Sequence, residues 1–176
     1  GTAQLHAGPL FTLTTRAILG SRETVSVSYA GLPEAVAPGD RLLLADGTIE
    51  LLVREVEASE IRCTVVTGGT LSARKGVNVP SGLPGLPILG EKDRRDLRFG
   101  VQHGVDYVGL SFVRTAEDVR TAKRELAGLG GDAPVIAKIE TRSALDHVDE
   151  ILAEADGVMV ARGDLSIETA FTRVPI

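Results

Sequence analysis

A chain of 176 residues, 43% hydrophobic and 24% charged, is long enough for one sizeable domain or two small ones and too apolar to remain disordered. Its net charge of -5 argues against nucleic acid or an anionic membrane as the main partner, while leaving room for local basic sites that take a phosphorylated small molecule. It carries no span apolar enough for a membrane helix, no signal peptide and a single cysteine, Cys63, so a cytoplasmic, reducing setting is expected.

From residue 10 to about 79 the apolar residues recur with period two. "TVSVSY" (24–29), "RLLLAD" (41–46), "TIELLVREV" (48–56) and "EIRCTVVT" (60–67) read as strands. Asp46-Gly47 and Gly68-Gly69 supply positive φ for tight hairpin turns between them. With no helical stretch in between, the pattern predicts a small antiparallel barrel or sandwich. "VPSGLPGLPILG" (79–90) then reads as a linker and domain boundary.

Beyond the linker the rhythm changes. "EKDRRDLRFGVQHG" suits a helix closing at Gly104, and "VDYVGLSF" (105–112) a nearly continuous apolar strand. "TAEDVRTAKRELAGLGG" starts with a capping-box-like Thr115 and Asp118 and stops at Gly128, Gly130 and Gly131. "PVIAKIE" (134–140) is a second strand, "RSALDHVDEILAEA" a second helix and "DGVMVAR" (156–162) a third strand. Apolar runs spaced by amphipathic helices predict parallel β/α units.

In such folds chemistry gathers at the carboxyl ends of the parallel strands. The three strands end in Ser111 and Arg114, in Lys138 and Glu140, and in Arg162 and Asp164. Lys138 and Glu140 are two apart, so they share one side of their strand. Neighbouring strands lie about 4.8 Å apart, which lets Asp164 approach Glu140. Two carboxylates beside a lysine and an arginine suit a hard cation such as Mg²⁺, which takes one or two carboxylates and completes its shell with water and substrate oxygens. Gly163 would let the backbone come close to a ligand.

Each of these residues also has a bland reading. Strand-end charges are often rim ion pairs or helix caps, and Arg74-Lys75 reads as a solvated basic pair in a turn. Arg162-Gly163-Asp164 spells a known adhesion tripeptide, but it continues a buried strand rather than occupying an exposed loop. Cys63 lies in an alternating strand and reads as a small core residue. His6, His103 and His147 show no mutual spacing, and surface positions are expected for them.

Taken together, "ADGTIEL", "RKGVNVP", "GEKDRRDLRFG", "LSFVRTAEDV", "AKIET" and "MVARGDLSIE" occur in the order found in pyruvate kinase. From about residue 20 onward the chain closely resembles that family. The resemblance implies an α/β fold: part of a TIM (β/α)₈ barrel, preceded by a small all-β barrel lid domain. Residues 1–79 would be the lid, 80–90 the linker and 91–176 about the fourth to sixth barrel strands.

It further implies roles for individual residues. Glu140 and Asp164 match the two carboxylates that hold Mg²⁺ or Mn²⁺, and Lys138 matches the lysine that stabilises the transferring phosphoryl group and the enolate. Ala161, Arg162, Gly163 and Asp164 match the segment that cradles the substrate carboxylate. Lys75 matches a lysine reaching the nucleotide phosphates, Asp46 an acidic residue that swings over the site, and Ser111 lies near the family's monovalent cation site, normally filled by K⁺. Phosphoenolpyruvate, pyruvate and ADP/ATP are the implied ligands, with a homotetramer for the full-length protein.

Three positions depart from the family pattern: Ser166 where glycine is usual, Thr141 where asparagine is usual, and Ala45 where a second acidic residue often precedes Asp46. The first barrel strands and the later strand carrying a proton-donating threonine have no counterpart. A fragment of an authentic enzyme, inactive by itself, is therefore expected. The alternative is a truncated, non-catalytic relative that binds a phosphate or keto acid or serves as a structural partner.

Overall fold

Alternation of apolar and polar residues along Ile49–Glu57 and Glu60–Thr67 builds the longest hairpin of the chain, with Ile49, Leu51, Val53, Ile61, Cys63 and Val65 turned into one core. The computed structural model describes residues 1–80, 82 and 85–169, and divides into two units, Gly1–Gly85 and Leu86–Ile176. The division falls within residues 80–90; positions 81, 83 and 84 of that stretch, and 170–176, lie outside the described residues.

The strands of the first unit are β1 (Thr2–Leu5), β2 (Leu10–Thr14), β3 (Thr24–Ser26), β4 (Arg41–Leu44), β5 (Ile49–Glu57), β6 (Glu60–Thr67), β7 (Gly69–Ser72) and β8 (Val77–Asn78). Six of them form one sheet in the order β3-β2-β6-β5-β4-β8, antiparallel except for the β2–β3 pair, and β1 pairs with β7. β2 shows the physical basis of the period-two signal, since Phe11 and Leu13 are buried while Leu10 faces solvent. The expected absence of helix does not hold. Leu32–Ala35 forms a single turn, α1, started by Pro33, whose fixed φ suits a first helical turn, and anchored by buried Leu32.

Both glycine dipeptides were expected to turn the chain by positive φ, and only one does. Asp46 and Gly47 have φ of 58° and 79°, and Ala45 joins them at 51°. Gly68 and Gly69 do not take positive φ, and Gly69 already belongs to β7. Gly68 is required for space: a Cβ there would lie 2.4 Å from the Leu5 carbonyl oxygen, where β1 passes.

In the second unit β9 (Val108–Leu110), β10 (Val135–Ile139) and β11 (Gly157–Val160) form a parallel sheet in the order β11-β10-β9. Helices α2 (Glu91–Gln102) and α3 (Ala116–Gly128) alternate with them. Asp93 accepts the Gly90 N–H at 2.8 Å and Asp118 the Thr115 N–H at 3.2 Å, so each helix is capped by an acidic residue of its own first turn. Gly104 takes φ 66° just beyond α2. Leu110, Val119, Leu126, Val135, Ala137, Ile139 and Ile151 are part of the core.

Two further expectations do not hold. The single helix read over residues 142–155 is two, α4 (Arg142–Asp146) and α5 (Val148–Glu154), parted at His147, whose φ of -122° leaves the helical range. The third strand ends at Val160, and Arg162-Gly163-Asp164 open a new helix, α6 (Arg162–Glu168), instead of extending a buried strand. β11 itself is not buried: Val158, Met159 and Val160 are 40%, 45% and 53% exposed, because among the described residues β11 pairs only with β10.

Candidate functional site

Lys138 is the fourth residue of β10 and Glu140 follows its last, so the pleat carries both side chains to the same side. The Lys138 ammonium stands 2.9 Å from Glu140 Oε2 and donates a hydrogen bond to Ser111 Oγ, also at 2.9 Å. Glu140 is 1% exposed. Its Oε1 accepts the Phe112 N–H at 2.7 Å, while the buried Oε2 has the lysine within ion-pair distance but not aligned for a hydrogen bond. A sealed carboxylate normally has its oxygens satisfied, and this one keeps lone-pair capacity for a cation.

Phe112 itself sits at φ 55°, a left-handed conformation that an aromatic residue rarely adopts and that costs on the order of 1–3 kcal/mol. Its main-chain N–H is what reaches Glu140. No motif reading singled out Phe112, because neither its residue type nor its spacing announces such a backbone.

Ala161 donates its N–H to the Ile139 carbonyl at 3.1 Å, so α6 begins beside the end of β10. The β10–β11 register ends at Ile139↔Val160, and Asp164 follows in the first turn of α6. Arg162, Gly163 and Asp164 are exposed, and among the described residues neither charged side chain makes an ion pair or hydrogen bond. Arg114, paired with Asp118 at 3.0 Å, fits the rim-ion-pair reading. The under-satisfied Glu140 Oε2 is an oxygen donor of the kind a hard divalent cation takes, although no group of three or more His, Cys, Asp or Glu that could hold a metal ion occurs among the described residues.

Ser166 donates to the Gly163 carbonyl at 2.6 Å inside α6 and has no positive φ, so the backbone does not require glycine there. Thr141 accepts the Ala144 N–H at 3.0 Å as the N-cap of α4, a role asparagine fills equally well.

In the first unit, Lys75 and Asp46 form an ion pair with each other at 3.2 Å. They lie 29 positions apart in the sequence, which gives no sign of the contact. Cys63 is buried in its strand as expected, and burial pushes its thiol up to about 12.

A sequence profile described as "Pyruvate kinase, barrel domain" matches residues 1–176. The chain belongs to the pyruvate kinase family. It is 44% identical to a pyruvate kinase of Thermotoga maritima over 98% of this chain and 37% of that protein. Pyruvate kinase 2 of Synechocystis is 44% identical over the whole chain and 30% of its own length, and a Clostridium perfringens pyruvate kinase 44% over the whole chain and 38% of its own. The chain thus spans about a third of the length of the curated relatives it matches. No helix among the described residues is long and apolar enough to cross a membrane.

Proposed function

We propose that this chain is the lid and middle-barrel part of a cytoplasmic pyruvate kinase, which moves the phosphoryl group of phosphoenolpyruvate to ADP to give pyruvate and ATP. On this reading the first unit is the small all-β barrel and the second contributes about strands four to six of a TIM (β/α)₈ barrel. The observation that carries it is the Lys138–Glu140 pair, held at the carboxyl ends of parallel strands in a chain of this family.

Phosphoryl transfer asks the protein mainly for positioning and for neutralisation of developing charge. Lys138 offers a cation, 24% exposed at its side chain and fixed by two partners, that can meet the transferring group and the enolate oxygen. Glu140 and Asp164 would hold Mg²⁺ or Mn²⁺, which supplies Lewis-acid charge neutralisation when bound. Ala161, Arg162 and Gly163 form the start of α6, where exposed backbone and a guanidinium suit the substrate carboxylate. Lys75 would leave Asp46 for the nucleotide phosphates, an exchange made easy by the exposure of both side chains. K⁺ and a homotetramer belong to the full-length protein.

The test pairs the intact mass of the purified protein with a coupled assay for pyruvate formation from phosphoenolpyruvate and ADP. Turnover confined to species longer than 18.5 kDa is the expected result. Full activity in the 18.5 kDa chain would overturn the requirement for further barrel strands, and no turnover in any longer form would overturn the assignment.

A further inference from the structure

The β9–β10 ladder ends at the pair Leu110↔Ala137, yet the two segments stay joined for four more residues by side chains. Lys138 Nζ donates to Ser111 Oγ at 2.9 Å, and Phe112 N–H donates to Glu140 Oε1 at 2.7 Å. Thr141 Oγ1 donates to the Val113 carbonyl at 2.9 Å, and Ser143 Oγ to the Arg114 carbonyl at 3.2 Å. Ser111, Phe112, Val113 and Arg114 are thus held in order from residues 138, 140, 141 and 143.

Both ends of this clasp are anchored. Asp118 in the first turn of α3 accepts the N–H groups of Arg114 and Thr115, and Thr141 caps α4. Val113 is fully buried between them. A strained backbone such as that of Phe112 persists only where its surroundings over-determine it, and these contacts do so. What the strain purchases is direction: the N–H of residue 112 and the hydroxyl of residue 111 hold the two members of the Lys138–Glu140 pair separately.

We propose that Ser111–Arg114 is a positioning segment, in which the Ser111 hydroxyl sets the place of the Lys138 amine and the Phe112 main chain that of the Glu140 carboxylate. The inference rests on the reading of Lys138 and Glu140 as the reactive pair. A lysine side chain has several rotatable bonds, and one carboxylate partner leaves it swinging about that partner, whereas a second partner on another segment of the chain narrows it to one place. Without Ser111 the amine keeps, among the described residues, only Glu140.

The experiment is competitive acylation of the chain with acetic anhydride at one fixed pH, with Lys138 read by mass spectrometry against exposed Lys92 as internal reference. Ser111→Ala is expected to raise Lys138 labelling roughly tenfold, the scale of a lost hydrogen bond to a charged group, and Ser111→Thr to return it to the parent rate. If Ser111→Ala does not melt cooperatively, Ser111→Cys is read in the same way. Parent-like labelling in the variant, or no rescue by threonine, overturns the proposal. Binding of Mn²⁺ is followed in parallel by electron paramagnetic resonance. Should labelling respond as expected while Glu140→Gln binds Mn²⁺ as tightly as the parent, the positioning role stands and the metal reading of Glu140 falls.

Discussion

Lys138 Nζ lies 2.9 Å from Glu140 Oε2, and the carboxylate is sealed while the amine retains contact with water. The pair is therefore asymmetric. Removing the lysine strands a buried negative charge, whereas removing the carboxylate releases a cation that can turn outward.

Lys138→Met should accordingly lower stability by about 3 kcal/mol, the low end of what breaking a buried pair costs, because the amine is not fully sealed. Mn²⁺, binding the freed carboxylate, should recover part of that loss and raise the melting temperature more than it does in the parent. In a catalytically competent longer form, turnover should fall about a hundredfold to a thousandfold. Melting with and without Mn²⁺ and a steady-state assay check both limbs; near-normal turnover would remove Lys138 from the mechanism.

Thr141 differs from the residue usual in the family, and its hydroxyl both donates to Val113 and accepts from Ala144. Thr141→Val deletes both contacts at nearly constant volume and should cost about 1–2 kcal/mol, the scale of a lost helix cap. Thr141→Asn keeps a capping oxygen and a donor, and should stay within about 0.5 kcal/mol of the parent. Urea titrations of the two variants provide the comparison, and equal losses would show that the capping group is irrelevant.

Gly68 and Gly128 separate two uses of the same residue. A methyl group at 68 would meet the Leu5 carbonyl oxygen and the backbone of His6, so Gly68→Ala should destabilise the first unit by several kcal/mol. At 128, in the last turn of α3, nothing lies within 4 Å and φ is helical, so Gly128→Ala should stabilise by about 0.4–1 kcal/mol. Opposite shifts of the denaturation midpoint are the expected outcome.

The same contrast shows which features the chain reveals before folding. β6 runs over the residues its alternation predicts, Glu60–Thr67, and α3 starts where Thr115 and Asp118 announce it, because those signals are local. Gly68-Gly69 misleads because a glycine needed for space and one needed for positive φ are identical on paper. The apolar run at 157–160 reads as buried, but burial is conferred by neighbours, and among the described residues β11 has one strand partner. Lys138 and Glu140 were legible from the two-residue pleat. The hold of Phe112 on Glu140, across 28 residues and through a main-chain group, was not.

Cys63 offers a direct probe of the first unit. Burial holds its thiol near 12, so at pH 8 almost none is thiolate and no reagent reaches it. A thiol-reactive disulfide should therefore fail to react with the folded chain at pH 8 and react at once in denaturant. Rapid reaction without denaturant would contradict the packing of β5 on β6.

Asp156, just before β11, takes a hydrogen bond from Lys123 at 2.8 Å and another from the Val135 N–H at 2.8 Å. The lysine, and after it the amide, hold this carboxyl below its ordinary value. A depressed native value means that the unfolded chain binds the proton more readily, so unfolding takes up protons and acid favours it. The stabilising contribution is full above the unfolded carboxylate value, about pH 4, and is lost as pH falls through the lower native one. Asp156→Asn cannot titrate, so its stability should fall less steeply than the parent's between about pH 5 and pH 2, with the gap between the two narrowing as acid is added. Urea unfolding at pH 6, 4 and 3 measures that gap. A constant difference across the series would mean that Asp156 holds the strand start through its hydrogen bonds alone, with no contribution from its charge.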